Sequence, residues 1–158
     1  MQATGATLVQ LVVFDLEGQH YALPLAAVER VVHAVEVTPM NGGPEVVLGV
    51  VDMGGRILPV LNLRRRLGLP GREMQPSDRF LIVRAGRRVL ALTVDGAEGV
   101  IALPASALVP ANRIFPGFEL IEGVVCLEDG LVLIQDLRRF LTLEEDRMLE
   151  DAMKGDGP

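Results

Sequence analysis

The sequence predicts a mainly β protein: two small five-stranded barrels related by internal duplication, with short helices and a helix at the C-terminal end. Three observations carry this. The 158 residues are 49% hydrophobic but only 4% aromatic, with no Trp, so the core must be built from Val, Leu, Ile and Ala, many of them β-branched and suited to pleated strands. Short apolar runs alternate with Gly, Pro and Asp turn signals. Finally, one unit occurs twice.

The repeat aligns residues 45–67 with 119–141 without a gap. Glu45, Gly49, Val50 and Val51 meet Glu119, Gly123, Val124 and Val125, and Leu63, Arg64, Arg65 and Leu67 meet Leu137, Arg138, Arg139 and Leu141. Apolar periodicity alone would not bring Glu, Gly and Arg-Arg into register. A weaker match precedes it, with Tyr21-Ala22-Leu23 against Leu90-Ala91-Leu92 and Val31-Val32 against Val100-Ile101. Residues 1–158 therefore read as a single domain of two β subdomains, 7–70 and 78–141, joined by the Gly- and Pro-bearing stretch from Gly68 to Ser77.

Each strand has its own local reason. In the first half, residues 8–16 are apolar and extended, and Glu17-Gly18 turns the chain into 20–25, where Pro24 suits a strand end. Residues 28–37 are rich in Val. Residues 46–51 and 56–61 pair around Gly54-Gly55, because Gly accepts positive φ without steric cost. The second half gives strands near 79–84, 88–94, 97–102, 120–127 and 131–135. Asn62 and Asp136 are N-caps for the short helices that follow them, and Gly68 stops the first. Thr142 and Glu145 form a capping box opening a helix over 142–154, with Leu143, Met148, Leu149 and Met153 as its docking stripe.

The composition excludes several classes of function. A net charge of −6 with a pI near 4.9 argues against nucleic-acid binding, which needs a concentrated basic surface. The run Arg64-Arg65-Arg66 is too short to offset that balance and reads as a solvated or locally paired face. The single cysteine, Cys126, forms no internal disulfide and reads as a small core residue. Met1 to Thr7 shows no signal-peptide pattern and no run is long enough to span a membrane, so a soluble cytoplasmic protein is expected.

Candidates for chemistry are thin. The two histidines, His20 and His33, have no ligand-like spacing to Cys126 or to paired carboxylates. Asp95-Gly96 reads as a turn in which Asp bonds its own downstream backbone. The Gly pairs at 42–43 and 54–55 fit no nucleotide-binding fingerprint. Neither catalysis nor a cofactor or metal is expected, and binding through barrel edges or the groove between barrels is the remaining reading.

The order of the pieces resembles the CheW family. They run Gly18-Gln19-His20-Tyr21-Ala22-Leu23-Pro24-Leu25, then Val28, Thr38-Pro39, Gly49-Val50-Val51-Asp52 and Ile57-Leu58-Pro59-Val60-Leu61-Asn62-Leu63-Arg64. The series continues with Leu92-Thr93-Val94-Asp95-Gly96-Ala97-Glu98-Gly99-Val100, Gly123 and Leu131-Val132-Leu133-Ile134-Gln135-Asp136-Leu137. The resemblance covers residues 8–141 and rests on order and spacing rather than on any single piece. It implies two SH3-like β subdomains. It also implies a non-catalytic adaptor coupling the regulatory domain of a CheA-type histidine kinase to the cytoplasmic tips of chemoreceptors, monomeric without them. The alternatives are a small-ligand module using the groove between subdomains, the same scaffold in a pilus or second-messenger pathway, or a detached piece of a larger signalling protein.

The resemblance also marks partner-binding positions. Val28 and Gly49 fall at such positions, although Gly49 has an equally good structural reading, a close approach of another strand. Ile114 and Phe115 follow Pro110 in a loop resembling the second-subdomain contact to the kinase, with plugging of the barrel as the alternative. Asp52-Met53-Gly54-Gly55 stands where the family carries Asn-Leu-Arg-Gly, so Gly54 replaces an Arg associated with receptor and kinase coupling. Arg56, two positions on and on the same strand face by alternation, is the candidate substitute. A common acidic position after Val28 is Arg30 here, with Glu29 displaced by one.

Overall fold

A computed structural model describes residues 7–110, 121–128 and 130–155. Along the chain run β1 (Leu8–Leu16), β2 (Gln19–Pro24), β3 (Val28–His33), β4 (Val47–Met53), β5 (Arg56–Leu61), α1 (Leu63–Arg66), β6 (Arg79–Ala85), β7 (Arg88–Val94), β8 (Gly96–Pro104), β9 (Val109–Pro110), β10 (Ile121–Leu127), β11 (Gly130–Gln135) and α2 (Leu143–Gly155). The strands form two sheets, ordered β8-β1-β2-β11-β10-β9 and β3-β6-β7-β5-β4. We call them barrel A and barrel B.

The fold is mainly β with two barrel units, as predicted, but the first sheet has six strands rather than five, and the barrels do not follow the halves 7–70 and 78–141. The β1–β2 hairpin sits in barrel A beside β8 and β11, while the β6–β7 hairpin sits in barrel B beside β3 and β5. Each half thus lends its first hairpin to the other barrel. The exchange is sealed by two equivalent parallel contacts, Ala22↔Ile134 and Ala91↔Val60. Alternation along a hairpin is satisfied by either neighbour, so local pattern does not choose between them.

The duplication survives in the irregularities. Glu29 is an extra residue in β3 and Glu98 is its counterpart in β8, while Leu48 in β4 and Glu122 in β10 form a second matched pair. These bulges bend the sheets toward closure. Closure itself comes from the chain that follows β3 and β8. Thr38 exchanges backbone hydrogen bonds with Val50 at 2.9 and 2.8 Å, covering the edge of β4. Likewise, β9 covers β10 through Val109↔Val124 and Pro110↔Gly123. The exposed edges of β4 and β10 are thereby shortened as templates for foreign strands.

Among the described residues, three larger apolar clusters and a small one of Ile121 and Val124 hold the molecule. Leu11, Val13, Ala22, Val125, Val132 and Ile134 fill barrel A, and Val51, Leu58, Val60, Phe80, Ile82 and Ala91 fill barrel B. The third and largest lies between the barrels and gathers Phe14, Leu23, Leu61, Leu81, Leu92 and Phe140 among others. Successive residues of β5, β6 and β7 alternate between the barrel B core and the central core. Both faces are buried, which is why these segments read as continuous apolar runs.

The capping predictions hold. Asn62 accepts the Arg65 N–H and Asp136 accepts the Arg138 N–H at 3.1 Å, although the segment after Asp136 is a single 3-10 turn rather than a helix. Thr142 Oγ1 accepts the Glu145 N–H at 3.0 Å, and the Glu145 carboxylate accepts the Thr142 N–H at 2.9 Å. The docking stripe is corrected. Leu149 and Ala152 are buried and Met153 half-buried, whereas Leu143 and Met148 face solvent. Positions i, i+3 and i+4 share a helix face, and residue 143 falls outside it. Arg66 and Arg88 clamp the acidic side of α2 through Glu145, Asp146 and Glu150.

Candidate interaction surface

The five described residues singled out from the sequence all belong to barrel B. Val28 opens β3 and packs against the edge of the central core. Gly49 lies in β4, where a Cβ would sit 2.1 Å from the Thr38 carbonyl oxygen. That overlap gives Gly49 a structural reason of its own: the closing segment crosses β4 where no side chain fits. Gly123 repeats it more loosely, 3.2 Å from the Val109 oxygen. Asp52 accepts the Gly55 N–H at 2.7 Å and fixes the β4–β5 turn. Gly54 and Gly55 have φ of +68° and +94°, as a two-residue hairpin of this hand requires. Ile114 and Phe115 lie outside the described residues.

Arg56 is not placed beside Gly54 by strand alternation, because Gly54 is in the turn and Met53 pairs with Arg56 across it. Arg56 instead donates to Glu29 at 3.1 Å, and Arg84 from β6 donates to the same carboxylate at 2.9 Å. The hydrogen bond from Arg56, joined by Arg84 and outweighing desolvation, holds the Glu29 carboxyl below the usual range. The bulge is what aims Glu29 at two guanidiniums. The displaced acid and the substitute Arg noticed in the sequence are therefore partners in one exposed cluster.

Exposed apolar side chains recur at matched positions. Ile57 of barrel B is 52% exposed and its counterpart Leu131 in barrel A 42%, while Val31 is 40% and its counterpart Val100 54%. Cys126 on β10, paired with Leu131, is exposed and not in the core as expected. Each barrel therefore presents apolar surface at equivalent places, the composition that interface centres favour.

The groove beside the linker offers about 380 Å³, lined by Val37, Leu48, Arg64, Arg72, Thr93 and Asp95 among others. Its two guanidiniums are already taken up by Asp95, Asp78 and Glu17. Of the two readings of the Arg64-Arg65-Arg66 run, the paired one holds: Arg64 is buried and paired here, Arg65 pairs with Glu45 and Arg66 with Glu145. Asp95 bonds no downstream backbone of its own; its carboxylate receives Arg64, Arg72 and the Glu17 N–H. Sequence reasoning missed this junction because its members are far apart along the chain. Burial pushes the Asp95 carboxyl up, but the Glu17 N–H and the two guanidiniums outweigh it and hold it below its ordinary value. No cluster of His, Cys, Asp and Glu suited to a metal occurs among the described residues.

A CheW-like domain model matches residues 10–145. The chain belongs to the CheW family. It is 24% identical over 153 residues to the chemotaxis protein CheW of Klebsiella aerogenes, covering 95% of this chain and 92% of that one. It is 29% identical over 152 residues to the CheW of Bacillus subtilis, covering 93% and 96%. The crystal structure of the scaffolding protein TtCheW from Thermoanaerobacter tengcongensis superposes with a TM-score of 0.80 at 26% identity, over 88% of this chain and 96% of that one. The two SH3-like barrels are therefore the family fold, and a scaffold's role is the family's character. No helix among the described residues is long and apolar enough to cross a membrane.

One pH prediction follows from the ion pairs. The carboxyls of Glu29, Asp95, Asp136 and Glu145 are all held below their ordinary values. A folded-state pKa that is depressed contributes stability above the unfolded pKa and loses it as pH falls through the folded one. The thermal midpoint, followed by circular dichroism, is expected to be flat near neutrality and to fall steadily below about pH 4. A midpoint independent of pH down to about pH 2.5 would mean that the pairs are not formed in solution.

Proposed function

We propose that this CheW-family chain is a non-catalytic, cytoplasmic adaptor. It couples the regulatory domain of a CheA-type histidine kinase to the cytoplasmic tips of chemoreceptors, and is a monomer without them. The observation that carries the reading is the family match spanning both barrels. It is supported by charged clusters that satisfy one another rather than converging on a reactant, which disfavours the small-ligand alternative. Val28, Asp52, Gly54 and Arg56 mark the barrel B contact, and the resemblance assigns Ile114 with Phe115 to a second contact with the kinase. Gly49 shapes the barrel B face by keeping β4 bare.

Titration calorimetry of the full chain against the regulatory domain of its own organism's kinase tests this. Micromolar or tighter binding is expected. Ile114→Glu is expected to weaken it by roughly thirtyfold or more, as loss of an apolar anchor of about 2 kcal/mol implies. Absence of binding by a chain shown to be folded would reduce the family match to a statement about fold.

A further inference from the structure

We infer that Asp95 is a positioning residue that sets the angle between the two barrels. The adaptor role proposed above, on which the functional half of this inference rests, depends on that angle. Asp95 lies where the chain leaves β7 of barrel B and enters β8 of barrel A. Its two carboxylate oxygens share one nitrogen of Arg64, Nη2, at 2.9 and 2.8 Å, and one of them also accepts from Arg72 at 2.7 Å. It also accepts the Glu17 N–H at 2.9 Å. Those partners come from α1 beside barrel B, from the linker between halves, and from the β1–β2 turn of barrel A. Arg64 additionally holds the Glu17 carboxylate and the Pro70 carbonyl, and Arg72 reaches Asp78. One carboxylate thus ties together both barrels and the linker.

The apolar cluster between the barrels is larger, but apolar burial is non-directional and tolerates small slides and rotations. Charge-assisted hydrogen bonds are directional, and this carboxylate takes them from three separate segments of chain. Glu17 has φ of +54°, the one non-glycine residue at positive φ among those described, as the two-residue β1–β2 turn requires. Its backbone N–H and its carboxylate are both held in the junction. The junction is one-sided as well. Arg138, the repeat counterpart of Arg64, has an 82% exposed side chain and pairs with Asp136 two residues away.

Residual dipolar couplings on the full chain test this directly, with strands of barrel A and barrel B fitted separately. A single alignment tensor is expected for the wild type and for Arg138→Ala. In Asp95→Asn, and to a lesser degree in Arg72→Gln, the barrels are expected to require different tensors. A mere loss of stability would not separate tensors well below the melting temperature. A shared tensor in both variants overturns the inference, and Arg72→Gln decides the matter alone if Asp95→Asn does not fold. In the same variants, affinity for an isolated kinase regulatory domain is expected to stay within about twofold, since one barrel face suffices for it. Light scattering should show larger kinase–adaptor assemblies lost. Assemblies unchanged in Asp95→Asn overturn the functional half. If the wild type binds no kinase, the adaptor reading fails while the tensor comparison still stands or falls by itself.

Discussion

Gly49→Asp is expected to cost about 3–5 kcal/mol of folding stability, near the upper end for a single substitution. The added Cβ would meet the Thr38 oxygen at 2.1 Å, the Thr38 carbon at 2.8 Å and the Pro39 Cα at 2.9 Å. All three are backbone, so no flexible side chain can yield. Relief requires the closing segment to lift off β4, which breaks both Thr38–Val50 hydrogen bonds. Denaturant unfolding followed by far-ultraviolet circular dichroism measures the loss. Gly123→Ala, with its nearest contact at 3.2 Å, should lose only about 1 kcal/mol, because the neighbour needs to give by a few tenths of an ångström. Wild-type stability for Gly49→Ala would show that the crossing is looser than described. The expected result also bears on function, since any partner affinity lost by Gly49→Asp reports first on barrel closure.

Phe140→Ala is expected to cost about 3–5 kcal/mol, as removal of a fully buried aromatic side chain usually does. Phe140 is 0% exposed and shares the central core with Leu149 of α2, Leu63 of α1 and residues of both sheets. Its loss opens a cavity where four elements meet, so α2 should loosen first. Hydrogen exchange over residues 143–155 is expected to quicken more than that of β6 and β7. Leu143→Ala is the control: with 88% exposure it should change stability by less than about 0.5 kcal/mol. Equal effects from the two substitutions would mean that α2 is not docked through Phe140.

Much of the fold was readable from residue order. The turns at Glu17-Gly18 and Gly54-Gly55, the strand end at Pro24, the caps at Asn62 and Asp136 and the capping box at Thr142 are local, and each is settled within a few residues of chain. The duplication was readable because it repeats side chains that periodicity does not demand. The hairpin exchange was not, since β1–β2 looks the same whether it pairs with β3 or with β8. The same limit applies to chemistry. Arg64, Arg72 and Asp95 each have an ordinary local explanation, and only folding brings them together. Arg56 was singled out for the right cluster but for the wrong reason. Strand alternation stops at a turn, and it was the Glu29 bulge, not visible as such in the sequence, that supplied its partner.

The exchanged hairpins also govern how the chain must be made. Barrel A draws strands from β1 through β11, so it stays incomplete until residues 130–135 are synthesised. Barrel B needs β7, which lies beyond the linker. A ribosome-bound first half therefore carries hairpins whose partners do not yet exist. Long loops must close before those contacts form, which slows folding and prolongs exposure of unpaired edges. Cutting the linker should yield two fragments that are each largely unstructured alone. Mixed, they should assemble into one native-like molecule. The sequence repeats one unit, but its product is expected to fold as an indivisible whole.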